Sequence, residues 1–128
     1  MNLAGWLEAY AKAWHEHDGD AVAALFTESG VYRSAPLRPA HEGREAIKRY
    51  WREEPERHQE LDLRFGTPIV SGRRAAVEWW ATMLQDGEPV TGPGCLILTF
   101  DDRGLCEELR EYWHEEPGRV PPPPGWGV

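Results

Sequence analysis

The sequence has little cysteine and no long apolar run, and each absence excludes a class of protein. Its two cysteines, Cys95 and Cys106, form neither a CxxC pair nor a metal-ligand spacing. No stretch approaches the roughly 18 apolar residues that a membrane-spanning helix needs. The N-terminus shows neither the basic nor the apolar region of a signal peptide. We therefore expect reduced thiols, no membrane association and a cytoplasmic location.

Positive charge is also scarce. The chain has 14 lysines and arginines against 22 acidic residues, which gives a formal net charge of −8. Without a basic cluster, no nucleic-acid partner is expected. His15 and His17 would point about 200° apart on a helix, so they cannot share a metal ion. We predict no metal and no cofactor.

Three helices are predicted in the first half of the chain. The first runs from about Leu3 to His17, because its apolar residues recur at helical spacing. The second begins at the N-cap Asp18 and ends at Gly30. The third begins at Gly43 and stops at Pro55. The residues predicted to form the buried faces of these helices are Leu3, Trp6, Leu7, Tyr10, Trp14, Val22, Leu25, Phe26, Ile47, Tyr50 and Trp51.

The second half of the chain has the alternation of β-strands. A short strand is predicted at 31–35, and longer strands at 61–65, 75–84, 90–100 and 105–115. We therefore predict an α+β domain over residues 1–116, with three N-terminal helices packed on one face of an antiparallel sheet. Residues 117–128 include four consecutive prolines and are predicted to be an extended tail outside the sheet.

Two turns predict which side chains share a face of this sheet. The Asp86-Gly87 turn pairs Trp79 with Gly94, and a four-residue loop at 101–104 pairs Gly94 with Glu111. Both turns place Glu111 on the inner apolar face, above space left by the glycine. Desolvation there would raise the pKa of Glu111 and suit it to general acid or base catalysis. The alternative is a structural carboxylate that bonds a buried tyrosine or a backbone group.

The aromatic residues predict a ligand cavity. Tyr32 is the second polar candidate, because its hydroxyl could donate a hydrogen bond to a ligand oxygen. The alternative is that each aromatic side chain is simply part of the core. The predicted ligand-binding residues are Trp14, Trp51, Trp79, Gly94 and Trp113, and the predicted catalytic residues are Glu111 and Tyr32.

The outer face of the sheet carries an apolar strip made by Trp80, Pro93 and Tyr112. Exposed apolar strips of this kind are typical of interfaces, which predicts a homodimer that packs sheet on sheet. The alternative is that the proline-rich tail, with Trp126, folds back over the strip.

Several motifs together resemble one family. They are Ala13-Trp14 followed by 19–26, Gly43-Arg44-Glu45-Ala46-Ile47 leading to Tyr50-Trp51, and Gly104 followed by Arg110-Glu111-Tyr112-Trp113. In this order they are similar to SnoaL-like proteins of the nuclear transport factor 2-like superfamily. The resemblance implies a conical α+β fold with a curved sheet and an internal pocket, and usually a dimer. In the polyketide cyclases of this family the catalytic Asp lies seven residues after the turn glycine, which is the position of Glu111 here.

The functional hypothesis is a small-molecule-binding protein. It would be a cofactor-independent cyclase, isomerase or hydrolase that acts on a small apolar carbonyl or polyketide-like compound, with Glu111 as general acid or base. The alternative is a non-catalytic domain of the same fold that binds a ligand or a partner protein. Fold alone does not decide between them.

Overall fold

The computed structural model describes residues 2–53 and 58–128, and within them the chain forms three helices and eight strands. The helices are α1 (Leu3–Glu16), α2 (Gly19–Ala23) and α3 (Arg44–Glu53). The strands are β1 (Phe26–Arg33), β2 (His41–Glu42), β3 (His58–Phe65), β4 (Ile69–Ser71), β5 (Arg74–Gln85), β6 (Glu88–Phe100), β7 (Cys106–Trp113) and β8 (Glu116–Pro117).

The helix termini follow from capping chemistry. Asn2 caps α1, where its side-chain oxygen accepts from the Gly5 N–H, and Asp18 caps α2 by accepting from the Ala21 N–H at 3.0 Å. His17 ends α1 in the left-handed conformation, with φ 54°. The predicted stop of the third helix at Pro55 lies outside the described residues.

The second helix is shorter than predicted. The prediction carried it to Gly30 with Leu25 and Phe26 on its buried face, but α2 ends at Ala23 and β1 begins at Phe26. The reason is tertiary, because the Cys106 N–H of β7 donates to the Leu25 carbonyl at 2.9 Å. Phe26 is fully buried as a strand residue that pairs with Cys106.

The helices cover one face of a mixed sheet whose strand order is β2-β1-β7-β6-β5-β3. The α+β prediction is confirmed, but the sheet is not wholly antiparallel, because β1 runs parallel to β7. No hairpin turn sets the direction of β1 against β7, since α3 and several strands separate them in the chain. β4 pairs with β5, and β8 pairs with β6.

The inward face was predicted from two hairpin turns, and the strand register agrees with the prediction in one hairpin but not in the other. Trp79 pairs with Gly94 as predicted, because Asp86 and Gly87 both adopt positive φ in a two-residue turn. In the β6–β7 hairpin, however, Glu111 pairs with Leu96 and not with Gly94. The loop is longer by one residue and the register shifts again between Thr99 and Phe100. From Glu108 onward the total displacement is two residues, which keeps Leu109 and Glu111 on the predicted inner face.

The core joins the aromatic stripe of α1 to the inner face of the sheet. Trp6 meets Phe100 edge to face with ring centroids 5.5 Å apart, and Trp14 meets Trp79 in the same way at 5.3 Å. In the part of the chain that the structure describes, no helix is long and apolar enough to cross a membrane. Both cysteines are free thiols.

The C-terminal tail folds back over the outer face of the sheet. Contrary to the prediction, its first residue, Pro117, belongs to the sheet, where it pairs with Val90 of β6. Proline is tolerated there because β8 is an edge strand that needs no ladder donor at that position. Trp80 Nε1 donates to the Val120 carbonyl at 2.9 Å, and its ring packs against Trp126 at 5.8 Å. The tail therefore covers part of the strip for which a dimer was predicted.

Gly94 and Gly92 lie on the same face of β6 but have different neighbours. A Cβ atom at Gly94 would overlap the Trp79 indole, whereas one at Gly92 would meet Glu115 Cγ at an ordinary 3.5 Å. We expect Gly94→Ala to lower the free energy of unfolding by about 1–3 kcal/mol through overpacking. Gly92→Ala is the matched control and should change it little. Chemical denaturation of both variants measures the difference, and equal losses would contradict this packing.

Candidate active site

A cavity of about 400 Å³ lies between the helices and the inner face of the sheet. α1 and α3 supply aromatic side chains, β5 to β7 supply the opposite wall, and the loop after β1 forms part of the mouth. The residues that line it are Trp14, Ser34, Ala35, Arg38, Pro39, His41, Tyr50, Trp51, Trp79, Met83, Gln85, Gly92, Glu111, Trp113 and Glu115. Its size and its five tryptophan and tyrosine side chains are typical of small-molecule sites.

Glu111 is the buried acidic side chain of this cavity. It points inward from β7 and is 7% exposed. The Tyr10 hydroxyl of α1 donates to its Oε1 at 2.8 Å. This bond crosses from the first helix to the last long strand, so it joins the two layers of the fold at the cavity wall.

The surroundings of Glu111 raise its pKa into the neutral range. Burial raises the pKa of Glu111 to about 7, although hydrogen bonds from Tyr10 and Tyr32 favour the ionised form. Burial, and next the charge of Glu111, raise the pKa of both tyrosines well above the ordinary value. Near pH 7 the site therefore combines one carboxyl group that exchanges its proton with two hydroxyl groups that keep theirs.

Four of the five predicted ligand-binding residues line the cavity, namely Trp14, Trp51, Trp79 and Trp113. Gly94 does not. The space above it, which was predicted to be empty, is filled by the indole of Trp79. Gly92, one pleat away, is the glycine that opens onto the cavity.

Tyr32 lies near Glu111 but is not among the residues that line the cavity. Its side chain is 2% exposed and packs between Trp51 and His41, with ring centroids 5.9 Å and 6.0 Å away. Its hydroxyl acts on the pKa of Glu111, so it contributes to the site from behind the wall.

The sequence reasoning missed Tyr10, His41 and Tyr50 as site residues. Tyr10 was visible only as part of a buried helical stripe, and no spacing rule connects it with a strand 101 residues later. His41 and Tyr50 meet with ring centroids 4.4 Å apart and line the cavity. His41 was missed because it lies in a predicted loop, and the sequence does not predict the strand pairing that places it beside Tyr32.

The three indoles on β5, β7 and α3 differ in how their N–H groups are satisfied. Trp51 Nε1 and Trp79 Nε1 are buried and have no hydrogen-bond partner among the described residues, whereas Trp113 Nε1 donates to the Ser34 carbonyl at 2.6 Å. Within residues 2–53 and 58–128, no group of three or more His, Cys, Asp or Glu side chains could hold a metal ion.

Comparison with known families agrees with the motifs in the sequence. The SnoaL-like domain matches residues 7–116, and the chain therefore belongs to this family. The predicted resemblance is confirmed. No functionally curated protein matches the sequence.

Solved structures with the same fold are distant in sequence. SalBIII, an epoxide hydrolase/cyclase-like enzyme in pyran ring formation of the polyether salinomycin, superimposes with a TM-score of 0.71 and 21% identity, over 88% of this chain and 93% of that one. A ketosteroid isomerase-like protein from Catenulispora acidiphila, in complex with trimethylamine, gives 0.74 and 18%, over 84% and 83%. An LEH-like epoxide hydrolase from M. tuberculosis gives 0.69 and 19%, over 85% and 80%. These likenesses confirm the predicted nuclear transport factor 2-like fold.

Tyr10→Phe should make Glu111 a weaker acid. The variant removes a hydrogen bond that favours the ionised carboxylate. Because such a bond is worth on the order of 1 kcal/mol, we expect the pKa of Glu111 to rise from about 7 to about 8. Carboxyl ¹³C chemical shifts measured against pH report this value. Tyr112→Phe, on the outer face, is the control, and an unchanged titration in Tyr10→Phe would contradict the geometry.

Proposed function

We propose that this protein binds a small apolar carbonyl or polyketide-like compound in its cavity and that Glu111 acts on it as general base and acid, without a cofactor. The observation that supports this proposal is a carboxyl group with a pKa of about 7 on the wall of a cavity of about 400 Å³. A catalytic carboxyl group works best when its pKa lies near the operating pH.

The chemistry follows from the protonation states. Ionised Glu111 removes a proton from the carbon next to the carbonyl group, and the electrons of the C–H bond pass to the carbonyl oxygen as an enolate forms. In an isomerisation of an unsaturated ketone, protonated Glu111 then returns the proton at another carbon. In a cyclisation, the enolate carbon attacks a second carbonyl carbon, the π electrons of that carbonyl pass to its oxygen, and this oxygen takes the proton from Glu111. Tyr10 and Tyr32 stay protonated throughout, because their pKa values lie well above 10.

The comparisons support a small-molecule-binding protein without defining a reaction. SalBIII is described as an epoxide hydrolase/cyclase-like enzyme in pyran ring formation, the M. tuberculosis protein as an epoxide hydrolase, and the Catenulispora protein is in complex with trimethylamine. At 18–21% identity these neighbours share the fold with this chain. Their reactions therefore suggest candidates for Glu111 and do not transfer.

Exchange of ketone α-protons with deuterium tests the role of Glu111. With 2-tetralone in D₂O, we expect the protein to accelerate deuterium incorporation, and the rate to rise with pH through about 7 as Glu111 ionises. Glu111→Gln should lower the rate about 10²–10⁴-fold, because the amide cannot accept the proton. Mass spectrometry of the ketone measures the exchange.

Glu108→Gln is the matched control for this experiment. It makes the same change three residues away on the opposite face of β7, where Glu108 pairs with Arg33 and Arg110 outside the cavity. We expect it to keep the wild-type rate. If Glu111→Gln also keeps that rate, general base catalysis is wrong, and a non-catalytic ligand-binding or protein-interaction domain becomes the better proposal.

We also propose a homodimer that packs through the outer face of the sheet, and a cytoplasmic location. Of the three residues of the predicted strip, Tyr112 is the exposed one, at 43%. Trp80→Glu would release the tail as well, so Tyr112→Glu is the cleaner variant. We expect the wild-type chain to have twice the monomer mass in light scattering and Tyr112→Glu to have the monomer mass. A monomeric wild-type chain at high concentration would exclude this interface.

A further inference from the structure

Ser34 is a buried polar residue of the cavity wall that follows β1 directly. It lines the cavity and is 7% exposed. Burial alternates along this stretch, because Tyr32 is buried, Arg33 is exposed and Ser34 is buried again. Successive side chains of an extended chain point to opposite faces of the sheet. The side chain of Ser34 therefore points inward, as that of Tyr32 does.

The register of β1 against β7 places Ser34 beside Glu111. The last pair of these parallel strands is Arg33 with Arg110. One step further along both strands leads to Ser34 and Glu111, and neighbouring strands lie about 4.8 Å apart. Trp113 of β7 fixes this end of β1, because its Nε1 donates to the Ser34 carbonyl at 2.6 Å. The hydroxyl and the carboxyl group are therefore adjacent groups on one face of the sheet.

The Ser34 hydroxyl is free, and the cavity reaches it. Trp113 binds the main-chain carbonyl of Ser34, and within the described part of the chain the side-chain hydroxyl has no hydrogen-bond partner. Its oxygen is also not closed off by the surrounding protein, as Nε1 of Trp51 and Nε1 of Trp79 are. Because Ser34 lines the cavity and is otherwise buried, the space beside its hydroxyl is the cavity.

Other polar groups of the wall are already engaged. The side chains of His41, Tyr50 and Gln85 line the cavity, and each has an interaction partner. The Trp113 N–H is used by the Ser34 carbonyl. An unpaired hydroxyl in a buried wall is unfavourable until a partner enters, since a buried polar group without a hydrogen bond costs about 1–3 kcal/mol. Ser34 therefore offers a ligand oxygen a neutral donor next to Glu111.

We infer that the Ser34 hydroxyl donates a hydrogen bond to the carbonyl oxygen of the ligand and stabilises the negative charge on that oxygen while Glu111 removes the neighbouring proton. This rests on the proposed function, since it names the group that holds the carbonyl compound on which Glu111 acts. A fixed donor at the oxygen where charge develops lowers the barrier, because it needs no reorganisation during the reaction.

The carbonyl stretch of bound 2-tetralone tests this contact directly, because a hydrogen bond weakens the C=O bond and lowers its frequency. Isotope-edited infrared spectra with carbonyl-¹³C 2-tetralone measure that band. We expect a lower frequency in the wild-type chain than in Ser34→Ala. Ser34→Thr keeps a hydroxyl and should keep the lower frequency, whatever its effect on affinity. Ser29→Ala, which changes an exposed serine of β1, is the matched control and should behave as the wild type. Equal frequencies in the wild-type chain and Ser34→Ala would overturn the inference.

Deuterium exchange of 2-tetralone separates this role from that of Glu111. Ser34→Ala should lower the exchange rate about tenfold, as expected for the loss of one hydrogen bond. The pH at which the rate rises should stay at about 7, because Ser34 is not among the groups that set the pKa of Glu111. An unchanged rate in Ser34→Ala would overturn the inference, while a rate that depends on Glu111 would still support the proposed function. If the rate does not depend on Glu111, the proposed function fails, and the infrared band decides separately whether Ser34 binds the ketone oxygen.

Discussion

The hydrogen bond between Tyr10 and Glu111 is the interaction on which the rest of the site depends. It fixes a helix from the start of the chain to the last long strand, and it does so with a carboxyl group that burial has largely removed from water. Burial favours the protonated acid, while the tyrosine hydroxyls favour the ionised form. The balance leaves the pKa of Glu111 at about 7, against an ordinary 4.5.

This arrangement makes folding less favourable as the pH rises. The unfolded chain ionises Glu111 near pH 4.5, whereas the folded chain keeps it protonated up to about pH 7. Stability contributed by the protonated side chain is therefore present below pH 4.5 and lost between those two values. The loss is on the order of 3 kcal/mol above pH 7. An apolar side chain at the same place would pack without this penalty.

Much of the site could be predicted from the sequence because strand alternation has a period of two. The inward direction of Glu111 survives a register shift of two residues in the β6–β7 hairpin, since only an odd shift reverses the faces. The predicted pairing of Glu111 with Gly94 was wrong, because a turn motif does not predict a bulge further along the strand. The predicted space above Gly94 was also wrong, because strand register does not show which indole packs there. Tyr10 was not predicted as a site residue, because helical periodicity shows that a residue is buried but not which side chain it contacts.

The sequence by itself determined the order of the three helices and the five longer strands, the charge, the inward carboxyl group and the family, since each rests on local spacing and residue type. Only the tertiary structure decided that β1 lies parallel to β7, that the tail covers Trp80, and that Tyr10 and Trp51 meet at the carboxyl network. These are contacts between segments far apart in the chain. Local secondary-structure propensity does not determine these contacts. They form when the whole chain buries its apolar surface in one close-packed core.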